Sequence, residues 1–164
     1  MTKCLNLIIY RGYYGREINE SELNELLELY LNLHEDSIPE MTENLKETWN
    51  IIINDINHHI IVNEIDNKIV SSCVCVIIPN LTRGVRPYAF IENVVTHSDY
   101  RGYGYATECL EYAKYIAEHD NCYKMMLLTG SKKGSILRVL VVRFLLHYQF
   151  LCILLKSWMA LCFR

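Results

Sequence analysis

Residues 91–106 read Ile91-Glu92-Asn93-Val94-Val95-Thr96-His97-Ser98-Asp99-Tyr100-Arg101-Gly102-Tyr103-Gly104-Tyr105-Ala106, and no other stretch constrains the fold as tightly. A β-branched apolar run ends in a short polar turn, and Arg101 with two glycines then opens an amphipathic segment. That order spells a strand, a phosphate-sized nest and a helix N-terminus. The first N–H groups of a helix lack intrahelical partners and sit at the positive end of its dipole, so they suit an anion such as a pyrophosphate. Glycine lets the backbone approach phosphate oxygens without a Cβ in the way.

Two kinds of nucleotide site use such a turn, and spacing separates them. A dinucleotide fingerprint wants G-x-G-x-x-G after a first strand, with an acidic residue about 20 residues on. Here Thr107 stands in the third glycine position and the turn lies past the middle of the chain. The pattern Arg101-x-x-Gly104-x-Ala106 instead resembles the Arg/Gln-x-x-Gly-x-Gly/Ala signature of the GNAT N-acetyltransferase superfamily. The preceding strand, with Glu92 just before Val94-Val95, is similar to that of small-amine and glucosamine-6-phosphate N-acetyltransferases. The resemblance spans roughly residues 5–137 and is most specific over 90–117.

The 164 residues predict one domain, large enough to bury a core without disulfides or metal. The net charge of −3 argues against a polybasic nucleic-acid footprint. The seven cysteines, Cys4, Cys73, Cys75, Cys109, Cys122, Cys152 and Cys162, contain no C-x-x-C pair. Cys73 and Cys75 fall on one face of a strand, and buried reduced thiols in a cytoplasmic protein are the expected reading, with no metal. Residues 5–10 are too short for the apolar core of a secretory leader, so secretion is not expected.

Along the chain, residues 3–10 predict a first strand and 11–19, with Gly12 and Gly15, a loop. Ser21 is the expected N-cap of a helix whose Leu23, Leu26, Leu27, Tyr30 and Leu31 share a face. A second helix starts after Thr42, with Leu45, Trp49, Ile52, Ile53 and Ile56 on its apolar side, and Pro39 separates the two. Runs 59–65 and 69–78, joined by Asp66-Asn67, predict a β-hairpin. Residues 88–96 follow as a strand. A helix carries Ala106, Cys109, Leu110, Ala113, Ile116 and Ala117 on one stripe, and 124–129 forms a further strand. This β-α-α-β-β-β-α-β order is the one the resemblance implies: an α/β (α+β) GNAT-like mixed, twisted sheet flanked by helices, with the acyl-CoA slot between splayed central strands.

The resemblance further implies acetyl-CoA as cosubstrate. Val94, Val95 and Thr96 would hold the pantetheine and thioester through backbone groups, and Arg101, Gly102, Tyr103, Gly104, Tyr105, Ala106 and Thr107 would wrap the pyrophosphate. Acetyl transfer to an amine needs a proton acceptor for the amine and a proton for the leaving thiolate. Glu92 interrupts an apolar strand and is the expected general base; ammonium binding and a plain solvent-facing position stay open beside that role. The family's usual thiolate acid, a tyrosine in the helix after the fifth strand, is expected where Leu140 stands, and no pattern supports Tyr148 in its place. Cys109 reads as a helix-core residue, so no covalent acyl-enzyme is expected. Lys132-Lys133 near the CoA phosphates, and an acidic lip of Glu35 and Asp36 beside His34 facing a cationic amine, compete with solvated surface as explanations. His58-His59 reads as strand-edge surface rather than a metal site, since neighbours on a strand face opposite ways.

All 19 acidic residues precede Gly134, whereas four of the 16 basic ones follow it. Residues 134–164 are therefore an atypical end. They are too short in their apolar run, 144–155, for a membrane anchor. Residues 144–155 and 158–163 could be the last two strands of the sheet, but the favoured account is a degenerated or frame-shifted terminus. The expected whole is a single domain over 1–164, a cytoplasmic N-acetyltransferase acting on a primary amine of a small molecule or peptide by direct attack. Neither nucleic acid nor membrane is an expected partner, and a homodimer is left open. The alternative is a catalytically impaired acyl-CoA-binding or regulatory module.

Overall fold

A single hairpin sets the middle of the sheet. Asp66 and Asn67 both take left-handed backbone, at φ 51 and 58, which matches the tight turn whose twist suits flanking antiparallel strands. The computed structural model describes residues 15–33, 35–129, 151–155 and 159–162. The elements are β1 (Gly15–Glu17), α1 (Leu23–Tyr30), α2 (Glu43–Asn54), β2 (His58–Ile65), β3 (Lys68–Ile78), β4 (Tyr88–Thr96), α3 (Tyr105–His119), β5 (Met125–Thr129), β6 (Leu151–Leu155) and β7 (Met159–Cys162). They build one seven-stranded sheet in chain order. Pairs are antiparallel except β4 with β5 and β5 with β6. A parallel pair needs a crossover, and α3 provides the one between β4 and β5.

Both faces of the sheet are covered, so β3 reads as a nearly continuous apolar run rather than an alternating one. Its Cys73, Cys75 and Ile77, with Ile61 and Ile91, pack against Cys109, Leu110, Ala113, Ile116 and Ala117 of α3. On the opposite face Ile60, Val62, Val74 and Val95 pack against Leu26 and Leu29 of α1 and Trp49 of α2. Thr42 caps α2, its hydroxyl accepting from the Leu45 N–H at 3.2 Å, and the Trp49 indole donates to the Glu20 carbonyl at 3.1 Å.

Three local expectations need correction. The helix entry is capped by Asn19 and not Ser21: the Glu22 carboxylate accepts from the Asn19 N–H at 2.7 Å, closing a capping box over a 3-10 turn, Glu20–Glu22, that leads into α1. Gly15–Glu17, expected in a loop, is a strand, because Arg16 bonds Glu22 at 2.6 and 2.8 Å and also pairs with Glu64 of β2. His59, expected at the surface, is buried with its Nδ1 3.1 Å from the Glu17 carboxylate. Because α1 ends at Tyr30, its core face runs through Leu26 and Leu29 while Leu31 is exposed. The strand expected over 3–10 lies outside the described residues.

Among the described residues no helix is long and apolar enough to cross a membrane. Burial alone would push the Glu22 carboxyl up, but the Arg16 guanidinium and the Asn19 N–H outweigh it and hold it below its ordinary value. A lowered folded value means the pair stabilises fully above the ordinary carboxylate range and is lost as pH falls through the folded value. We expect Glu22→Gln to cost about 1 kcal/mol at neutral pH, discounted for partial exposure, and to flatten the acid limb of stability measured by urea unfolding at stepped pH.

Candidate functional site

One extra residue creates the site. β3 and β4 pair Val74 with Glu92 but Ser72 with Val95, so β4 carries one more residue than β3 across that interval. Asn93 absorbs the mismatch at φ 50, in the left-handed region that asparagine tolerates better than most residues. Pairing with β5 ends beside it: Ala89, Phe90 and Ile91 match Met125, Met126 and Leu127, and no further pair forms. Beyond Ile91, β4 stays with β3, while Leu128 and Thr129 stay with β6. The two central strands therefore splay, leaving the β5-facing edge of β4 uncovered by any described strand from Glu92 onward.

The glycine turn stands at the wide end of this gap. A 3-10 turn over Ser98–Tyr100 is held by the His97 ring, which accepts from the Asp99 N–H at 3.3 Å. Gly102 and Gly104 then take φ 89 and 98, and apart from chain neighbours no atom of the described residues lies within 4 Å of where their Cβ atoms would be, so these residues leave the concave side open. Gly104 is the N-cap of α3 and offers no side-chain cap. Among the described residues no acceptor meets the N–H groups of Tyr105, Ala106 or Thr107. Those groups and the dipole of a 15-residue helix face the opening. The buried Asn63 amide donates to the Glu108 carboxylate and anchors this first turn of α3 to β2.

Arg101 does not extend into the opening. Its Nε donates to the Thr96 carbonyl at 3.1 Å and its Nη2 to the Asn32 carbonyl at 3.3 Å. Tyr103, 72% exposed, stacks on Tyr105 with ring centroids 6.1 Å apart, and Tyr100 lies 6.4 Å from Tyr105. Lys68 of β3 reaches over the Tyr100 ring and to 3.4 Å from His97 Nε2, which puts a cation at the rim.

Of the strand residues singled out in the sequence, Val94 packs toward the α3 core and Val95 is buried beneath α1. The Thr96 hydroxyl bonds Ser71 at 2.9 Å. Glu92 is exposed and lies opposite Val74, on the α1/α2 face, beside half-buried Phe90 and Val76. Among the described residues, neither α1 nor α2 buries Glu92. Next to it stands the Tyr30 phenol, pushed up to about 12 chiefly by burial and eased by its neighbours Asn93 and Ser72. It is a neutral phenol at physiological pH. The Ser72 hydroxyl is buried beside it. Glu35 and Asp36 are exposed. His34, Lys132, Lys133, Leu140 and Tyr148 lie outside the described residues. Cys109 is buried and its thiol is pushed up to about 12 by burial, as befits a core residue. Among the described residues no cluster of His, Cys, Asp or Glu could hold a metal ion.

Asn93, Tyr30 and Asn32 escaped the sequence reading. An asparagine inside a β-branched run was a signal for the bulge, while Tyr30 was legible only as a helix-stripe residue and Asn32 carried no signal.

Splayed parallel strands with an uncapped helix N-terminus at their mouth give the fold its cleft, and comparison with known proteins identifies the family. The family model for the Acetyltransferase (GNAT) family matches residues 23–136. A protein from Agrobacterium tumefaciens str. C58 assigned as an acetyltransferase is 36% identical, with 76% of this chain and 87% of that one covered and a TM-score of 0.71. A Trypanosoma brucei acetyltransferase is 28% identical over 76% and 87% of the two chains, TM-score 0.63. Glucosamine-6-phosphate N-acetyltransferase from Arabidopsis thaliana shares the fold at 23% identity, covering 75% and 85%, TM-score 0.65. The chain belongs to the GNAT acetyltransferase family, whose members take the acetyl group from acetyl-CoA.

With open space around it, Gly104 resists a side chain for backbone reasons alone. Gly104→Ala should cost about 1 to 2 kcal/mol in chemical unfolding, the price of a left-handed Cβ.

Proposed function

We propose that this chain transfers the acetyl group of acetyl-CoA to a primary amine of a small molecule or peptide by direct attack. The observation that carries the reading is the open nest of Gly102, Gly104 and the free N–H groups of Tyr105, Ala106 and Thr107 at the mouth of the β4–β5 gap. Backbone donors from Gly102 through Thr107 would hold the pyrophosphate, and the pantetheine would run along the uncovered edge of β4 at Val94, Val95 and Thr96. The Arg101 side chain would serve by shaping the turn, since its donors are turned to Thr96 and Asn32.

The acceptor would approach from the α1/α2 face, where the sheet is open at Glu92. Its nitrogen attacks the thioester carbonyl, the C–N bond forms, and the C–S bond breaks with release of CoA thiolate. Glu92, directly or through water, takes the proton that the nitrogen loses, and the thiolate takes its proton from solvent. Exposure at Glu92 fits either proton transfer to bulk or pairing with an ammonium group. In a water-accessible site the low basicity of a thiolate lets it leave without a dedicated acid. We read residues 1–164 as one domain with an atypical terminus over 134–164.

Two measurements test this. Calorimetry should show CoA binding that Gly104→Asp weakens by about a hundredfold or more, because a side chain and a negative charge enter the phosphate nest; equal affinity of both proteins would remove the nest from the cofactor site. In a thiol-release screen over small amines, polyamines, amino sugars and peptide N-termini, Glu92→Gln should lower kcat about a hundredfold with CoA affinity unchanged. Unaltered turnover across pH would place the base elsewhere.

A further inference from the structure

The turn between β4 and α3 is supplied with hydrogen bonds up to a definite point. The His97 N–H donates to the Val70 carbonyl at 2.9 Å, Asp99 to the His97 ring at 3.3 Å, Tyr100 to the His97 carbonyl at 2.9 Å and Arg101 to the Ser98 carbonyl at 3.4 Å. The remaining donor in this run, the Ser98 N–H, is taken by a residue 66 positions earlier: Asn32 Oδ1 accepts it at 3.0 Å. From Gly102 to Thr107 no backbone N–H has an acceptor among the described residues.

Asn32 acts a second time through its main chain. The end of α1 tightens, with the Asn32 N–H on the Leu29 carbonyl at 2.9 Å and the Leu33 N–H on the Tyr30 carbonyl at 2.8 Å. The Asn32 carbonyl therefore stands among the acceptors left over at the negative end of a helix, where a cation is favoured. The Arg101 guanidinium fills that place. One residue thus grips both ends of the 98–101 turn, its amide oxygen holding Ser98 and its carbonyl holding Arg101. Meanwhile α1 itself is fixed by Leu26 and Leu29 in the core.

We infer that Asn32 is a positioning residue for the phosphate nest: from the end of α1 it fixes the 98–101 turn and so aims the unpartnered N–H groups that follow it at one point. This rests on reading the nest as the CoA pyrophosphate site. Without the amide acceptor the turn samples more conformations, and anion binding carries the cost of ordering it. The loss falls on cofactor affinity, because the side-chain and carbonyl bonds of Asn32 go to the turn and, among the described residues, none joins it to Glu92.

The test is calorimetric titration of the full chain with CoA, alongside steady-state kinetics. Asn32→Ala should weaken CoA about fivefold, the worth of one hydrogen bond, and raise KM for acetyl-CoA alike, with kcat, acceptor KM and melting temperature nearly unchanged. Asn32→Asp keeps the acceptor and should recover the affinity to within about twofold in high salt, where its added charge is screened. Ser98→Pro removes the donor from the other side without touching α1, should give the same fivefold loss, and should add little to Asn32→Ala in the double variant. Unchanged CoA affinity in Asn32→Ala and Ser98→Pro, or a fall in kcat at constant affinity, overturns the inference and leaves the cofactor reading standing. Absence of CoA binding by the wild-type chain overturns that reading itself, and this inference with it.

Discussion

Everything at the site follows from a register conflict between β3 and β4. A strand that carries one residue more than its partner must bend and twist there. In β4 the bend falls at Asn93, one position after Glu92 and two after the last residue paired to β5. A parallel pair of only three matched positions cannot follow such a bend. The sheet therefore opens along one seam while its other strand pairs stay matched, and an otherwise continuous core acquires a cleft. The neutral Tyr30 phenol and the buried Ser72 hydroxyl gather where the ladder is interrupted, a place where polar atoms can be tolerated inside a covered sheet.

The two faces of the sheet then have separate tasks. On one, α3 packs a stripe of small and medium residues, Cys109, Ala113 and Ala117, all fully buried against the strands. On the other, α1 and α2 cover β2 and the middle of β3 but stop short of Glu92 and Phe90. In the function proposed above, the cofactor would enter at the first face and the acceptor at the second. The link between them is short: Asn32, at the end of α1, touches Ser98 and Arg101.

The sequence made much of this readable, and for identifiable reasons. Period-2 and period-3.6 patterns placed the hairpin at Asp66-Asn67, the bounds of β4 and the α3 stripe of Cys109, Leu110, Ala113, Ile116 and Ala117, because burial there depends on local spacing alone. The glycine turn was readable because positive φ at Gly102 and Gly104 leaves few residue choices. What escaped depends on partners far along the chain. β1 exists through Arg16 reaching Glu64, 48 positions away, and its three residues carry no periodicity of their own. His59 is buried because that strand brings Glu17 to it. Asn32 and Tyr30 matter through contacts with β3, β4 and the turn that follows, and no one-dimensional pattern marks such pairs.

The core has one further property that bears on a family built around thioesters. A thiolate near an acetyl thioester would capture the acyl group, and this chain has seven cysteines. The four in the described core, Cys73, Cys75, Cys109 and Cys122, are all free and buried. Burial holds each as a neutral thiol, with Cys75 and Cys109 pushed up to about 12, Cys122 to about 11 and Cys73 well above its ordinary value. Only the thiolate is a competent nucleophile. These sulfur atoms, packed in the core with α3, are thus poor nucleophiles toward a thioester. The packing that seats the helix also withholds these four cysteines from acylation.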